Sequence, residues 1–207
     1  MRKVICSGAV ILALAGCGEL QAPFADDATV AAVSYRDPGP ASITLYTMVN
    51  NRTGDGGHSA LLINASERII FDPAGSFYAD VVPERNDVLF GITPEIEKAY
   101  RSAHARTTYH VRRQTIPVTA EQAEVAYRLA LQNGAVAKAF CTNATSGLLR
   151  SVPGFEKINL TFWPTTLSKQ VAKLDGVTED LYYETDDPDL QKALAEGNAE
   201  LLRKRKN

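Results

Sequence analysis

The sequence is poor in the residues that chemistry uses most. Among 207 residues there are three cysteines, three histidines, two methionines and one tryptophan. Lysine and arginine number 22 against 24 acidic residues, so there is no basic excess to neutralise phosphates, and nucleic acid is not an expected partner. No apolar run approaches the roughly 20 residues a membrane-spanning helix needs. The glycine-rich stretch Asn50 to Gly57 lacks the Gly-Lys-Ser/Thr ending of a phosphate loop, which argues against nucleotide binding. The histidines are not at ligand spacing and no second cysteine stands near them, so no metal and no other cofactor is expected.

What is present begins at the N-terminus. Met1-Arg2-Lys3, an apolar run from Val4 to Leu14 and then Ala15-Gly16-Cys17 have the parts of a secretory signal. Leu14-Ala15-Gly16-Cys17 resembles the lipobox of bacterial lipoproteins. That resemblance implies a signal over residues 1–16, lipidation of Cys17 and a membrane contact through the lipid anchor. Gly18 after the cysteine implies the outer membrane, facing the periplasm. Loss of residues 1–16 removes Cys6, Arg2 and Lys3, and takes the formal charge from −2 to −4. Cys141 is then the only free thiol. Exported proteins usually pair their cysteines or lack them, so this one is either a small buried hydrophobe or a working group.

Residues 17–40 mix Ala, Pro, Asp and Gly without periodicity and read as a lipidated N-terminus and tether. The domain is expected over 41–174, with a polar C-terminal extension over 175–207. Ala41 to Val49 alternates as a strand. His58 to Asn64 and Arg68 to Asp72, joined by Ala65-Ser66-Glu67, read as a β-hairpin. Thr93-Pro94 is a helix start running to about Ala103, and Thr107 to Ile116 a strand with its Arg and His side chains on the wetter face. Thr119 to Gln122 matches a capping box whose helix stops at Asn133-Gly134. Cys141 stands at the start of the next helix, Thr165 to Leu174 suits a short one, and Asp187-Pro188 caps a last helix carrying Leu190, Leu194 and Leu201.

A cysteine attacks as thiolate, and a helix N-terminus lowers its pKa while offering backbone N–H groups to an oxyanion. Cys141 therefore needs a base. His104 and His110 read as solvated surface residues, whereas His58 opens an apolar strand beside Gly56-Gly57, on a rigid support facing a loop. The hairpin's antiparallel return brings Asp72 alongside His58, where a carboxylate would orient the imidazole. Asp72 could instead cap the turn Asp72-Pro73-Ala74-Gly75. Asp55, Asn64 and Asp80 are the weaker substitutes, Asn64 lying toward the far end of its strand.

A histidine opening a strand, a polar residue closing the next and a cysteine heading a helix together resemble papain-like NlpC-type hydrolases. With His58 and Asp72 preceding Cys141, the order resembles the circularly permuted branch that includes lecithin:retinol acyltransferase-like proteins and bacterial permuted amidases. The Asn-Cys pair frequent in that branch is replaced by Phe140-Cys141. The resemblance covers about residues 41 to 165 and implies an α+β fold, an antiparallel sheet packed against helices with the nucleophile at a helix N-terminus. It implies Cys141 as nucleophile, His58 as base then acid, Asp72 as orienter, and an acyl, peptide or peptidoglycan-type substrate. On this reading Asp72→Ala is expected to cut turnover far more than stability. The reading from another class is a non-catalytic envelope lipoprotein that uses the same fold for binding.

Overall fold

Strand β1, Ser42–Asn50, is the spine of a sheet whose order is β4-β5-β3-β2-β1-β6-β7, every pairing antiparallel. The computed structural model describes residues 23–205; the signal segment and Cys17 lie outside them. The other strands are β2 Gly56–Asn64, β3 Arg68–Phe71, β4 Glu84–Arg85, β5 Val88–Leu89, β6 Tyr109–Pro117 and β7 Thr178–Tyr182. The helices are α1 Asp27–Ala32, α2 Pro94–His104, α3 Ala120–Gln132, α4 Cys141–Arg150, α5 Pro164–Val171 and α6 Leu190–Arg205.

Period-two alternation gives β1 and β2 two apolar faces, and both are covered. Ile43, Leu45, Leu61 and Ile63 meet Ala126 of α3, Leu148 and Leu149 of α4, and Leu167 of α5. Tyr46, Met48, Ala60 and Leu62 meet Ile96 and Tyr100 of α2, and Leu194 and Leu201 of α6. The chain is thus α+β, with a mostly buried antiparallel sheet between two helical layers. Helix starts follow their caps. The Thr93 side chain accepts from the Ile96 N–H before Pro94, and Thr119 and Gln122 close a capping box.

On the α2 face a buried carboxylate organises the sheet. Glu97 receives Arg68 Nη2 at 2.5 Å, the Tyr46 hydroxyl at 2.8 Å and Arg113 Nη1 at 3.1 Å. Its side chain is 7% exposed and that of Arg68 9%. Each charge is therefore compensated inside the protein rather than by water.

Two expectations need correction. Residues 23–40 are not wholly a tether: Phe24 bridges to Arg85, α1 forms behind an Asp26 cap, and the Arg68 N–H donates to the Tyr35 carbonyl at 2.8 Å. Nor is the segment after Asp175 an appendage. Strand β7 pairs with β6, setting Asp180 2.6 Å from Arg113 Nε, and α6 packs on α2. Between β3 and α2 the short strands β4 and β5 pair with each other.

Candidate active site

The sheet register decides which side chains meet. Phe71 stands opposite Leu61, so Asp72, one residue beyond β3, falls beside the start of β2, where His58 sits opposite Met48. The His58 Nε2 lies 2.6 Å from Asp72 Oδ1, and the Tyr100 hydroxyl donates to the same oxygen at 2.8 Å. With Nε2 engaged, Nδ1 is left for the thiol. Parallel to the His58 ring, with centroids 6.1 Å apart, lies His104, its Nδ1 2.8 Å from the Tyr100 carbonyl.

Cys141 reaches this pair from the head of α4. Phe140 occupies the N-cap without a side-chain hydrogen bond, and among the described residues the N–H groups of Cys141, Thr142 and Asn143 have no backbone acceptor. Those donors are left free to receive a negatively charged oxygen. Small hydroxyl residues let the helix approach β2 closely. The Ser59 hydroxyl donates to Thr142 Oγ1 at 3.0 Å, Thr145 returns its proton to the Cys141 carbonyl at 2.8 Å, and Ser146 to the Thr142 carbonyl at 2.7 Å. Ahead of the helix Ala139 has φ 71°, a left-handed conformation that costs an alanine energy and recurs at functional sites.

The charges are coupled. Burial pulls the His58 pKa down, but the Asp72 charge and hydrogen bond, with the Cys141 thiolate, outweigh it and lift it to about 10. Burial pushes the Cys141 thiol up, yet the His58 hydrogen bond and charge, with Thr142 and the Ser59 amide, bring it down to about 7. Asp72 is buried too, which raises its pKa, and the His58 cation, His104 and Tyr100 hold it below the ordinary carboxylate value. The Thr142 hydroxyl also lies within hydrogen-bond reach of the sulfur, at 3.7 Å. Cys141 itself is 8% exposed.

Asp72 needs Gly75. A Cβ on Gly75 would stand 1.9 Å from Asp72 Oδ2. Gly75→Ala must therefore move a carboxylate that His58 and Tyr100 both hold. The expected result is a loss of about 1–3 kcal/mol of stability, typical of overpacking, together with slower alkylation of Cys141 at neutral pH. Denaturation and labelling of the variant check both; unchanged labelling would mean that Asp72 does not act through His58. A second clamp joins the site's two halves: Asp87 Oδ2 accepts from the Ala74 N–H at 3.1 Å and from the Val136 N–H at 2.7 Å. Gly56 and Gly57 have steric reasons of their own, with Pro164 and the Tyr109 ring lying where Cβ atoms would stand.

Beside His58 a pocket of about 320 Å³ opens between Met48, Gly75, His104, Tyr109 and Leu190. Leu190 comes from the C-terminal extension, which thus forms one wall. The larger cavity, about 360 Å³, lies at the other end of β2 around Asn64 and Arg68.

Cys141, His58 and Asp72 are thus brought together, and the substitutes are not. Asp55 is exposed, Asn64 donates to the Pro40 carbonyl, and Asp80 is taken by Asn198 of α6. Neither His104 nor His110 is solvated. The first lies against Tyr100 and His58; the second is buried, bonded to Asn51 at 2.8 Å and stacked on Tyr183. Tyr100 and Ser59 went unnoticed in the sequence, and Gly75 was read there only as part of a turn. Only Tyr100 left a signal there, as a phenol on the apolar face of a helix, where a buried hydroxyl needs an acceptor. Among the described residues no three His, Cys, Asp or Glu side chains group as metal ligands would, and no helix is long and apolar enough to cross a membrane. No family model, curated protein or solved structure matches the chain.

Proposed function

We propose that this chain is a thiol hydrolase or acyltransferase of the bacterial cell envelope, held at a membrane by lipid on Cys17. Its fold on this reading is the circularly permuted papain-like arrangement, and its substrate an amide or ester carbonyl of acyl, peptide or peptidoglycan type. The observation that carries the reading is the 2.6 Å His58–Asp72 pair beside a cysteine at an uncapped helix start.

The reaction follows from those groups. The Cys141 thiolate attacks the carbonyl carbon, a C–S bond forms, and the free N–H groups at the head of α4 hold the oxyanion. Collapse breaks the bond to the leaving group, which takes the proton from His58 and departs. The resulting acyl-thioester is opened by water or another acceptor, whose proton His58 removes as it attacks. Asp72 and Tyr100 keep the imidazole in one orientation and stabilise its charged form throughout.

The pH dependence has a definite sign. The lowered Cys141 pKa means that thiolate appears as pH rises through about 7, and the raised His58 pKa means that the ring keeps its proton until about 10. The reactive pair is populated between those limits, and each limit belongs to the pair rather than to one residue. Alkylation by iodoacetamide should therefore rise with a midpoint near 7, and His58→Ala should move that midpoint to or beyond the roughly 8.5 of free cysteine, because burial remains after the cation has gone. One observation favours the alternative reading of a non-catalytic binding module, namely the 8% exposure of Cys141. Sluggish labelling that ignores His58 would establish that alternative and sink the triad.

A further inference from the structure

Four large apolar side chains stand in water beside the nucleophile. Phe140 is 47% exposed, Leu160 55%, Phe162 52% and Trp163 71%. They form one surface. The Phe140 and Phe162 rings meet edge-on at 5.4 Å, Leu160 lies over Gly147 of α4, and the Thr161 N–H is fastened to Ser146 Oγ at 3.2 Å. The patch is thus held rigidly on the helix that begins with Cys141. Isolated exposed apolar residues need no explanation, but a fixed cluster beside the head of α4 does. Exposed Lys138 and Lys157 stand in the two loops that carry it, while Glu156 is turned into its own loop by the Gly154 N–H at 2.9 Å.

The described chain begins on the same side. The Pro23 carbonyl accepts from the Asn86 N–H at 3.1 Å, and the neighbouring Asp87 holds Val136, four residues before Phe140. Phe24, 67% exposed, lies under the Arg85 guanidinium at the edge of β4, 4.9 Å from ring centroid to cation. Five residues lie between Cys17 and Pro23, so six residue steps give a reach of at most about 20–22 Å. A lipid on Cys17 would therefore hold this face close to the bilayer.

We propose that the surface of Phe140, Leu160, Phe162 and Trp163 docks on a lipid bilayer and so brings the head of α4, with Cys141, to substrates resident in that membrane. The inference rests on the lipid-anchor part of the functional reading. Aromatic rings suit the interface between acyl chains and headgroups, and the flanking lysines suit anionic lipid.

The single tryptophan supplies its own probe. The full chain, with the Cys17 acyl groups verified by mass spectrometry, is reconstituted in vesicles of phosphatidylethanolamine and phosphatidylglycerol with brominated acyl chains. Trp163 emission should shift to the blue, lose roughly half its intensity relative to unbrominated vesicles and become shielded from iodide, as for an interfacial side chain. Leu160→Ser with Phe162→Ser should reverse these changes while the chain stays on the vesicles. Emission that remains red and open to iodide on vesicle-bound protein overturns the proposal. Shielding that appears in detergent without vesicles, and grows with protein concentration, overturns it in favour of a second copy. The outcomes are separable from failure of the underlying reading: missing acyl groups on Cys17 refute the anchor, and Cys141 labelling in detergent tests the triad by itself.

Discussion

Asp72→Asn is expected to fold, and to lose roughly three to four orders of magnitude in turnover, the scale seen when the orienting carboxylate of a nucleophile–histidine–acid triad becomes an amide. The isosteric amide keeps the volume and can still accept from the Tyr100 hydroxyl or from His58. It removes the negative charge that lifts the His58 pKa to about 10. Without that charge, burial wins, the ring loses its proton at lower pH, and the cation that lowers the Cys141 pKa disappears with it. The alkylation midpoint should then climb from about 7 toward the free-cysteine value of about 8.5. A midpoint that stays near 7 would show that the helix head alone activates the thiol. Asp72→Ala is the poorer experiment, contrary to the expectation drawn from sequence. It leaves a buried imidazole and the Tyr100 hydroxyl without their shared acceptor. Breaking such a buried pair costs about 3–5 kcal/mol, so stability falls together with turnover.

The second large effect concerns folding alone. Glu97→Ala is expected to cost about 3–5 kcal/mol, because it strands Arg68 and the Tyr46 hydroxyl inside the α2 layer. That is a large fraction of the 5–15 kcal/mol by which domains are typically stable. Burial raises the Glu97 pKa, but Tyr46 and Arg68 outweigh it and the folded value lies below the ordinary 4.5. Its contribution is therefore present above about 4.5 and lost as pH falls through the folded value. Urea unfolding of parent and variant at pH 7 and again near pH 3 checks both statements. The gap should narrow in acid, and a loss below about 1 kcal/mol at pH 7 would mean that water already serves Arg68.

The legible parts of the sequence were those fixed by short-range chemistry. The turn between Asn64 and Arg68 sets a register, and a register places Asp72 beside His58 without further information. The caps at Thr93 and Thr119 announce their helices because threonine oxygens satisfy specific N–H groups. A thiol without a partner drew attention to Cys141 by its rarity. What remained hidden depends on approach across the fold. The sequence Thr-Glu-Asp-Leu-Tyr of β7 lacks an alternating apolar face because the strand lies at an exposed edge and meets β6 through acidic partners for Arg112 and Arg113. His104 and His110 looked solvated beside arginines, yet each is packed against aromatic rings contributed by other parts of the chain or the preceding helical turn. Glu97 stands in the first turn of α2, where nothing local reveals that Arg68 reaches it from β3.

The separations within the triad carry a consequence for how reactivity arises in time. His58 and Asp72 are 14 residues apart on one hairpin, whereas Thr142, beside Cys141, meets Ser59 across 83. Local contacts form early at small entropic cost, and distant ones are slower. A newly made chain can therefore hold its base and acid in place while the thiol is still an ordinary cysteine, mostly protonated at neutral pH. On that order the nucleophile is switched on only when α4 docks, so a chain still folding carries a comparatively inert sulfur.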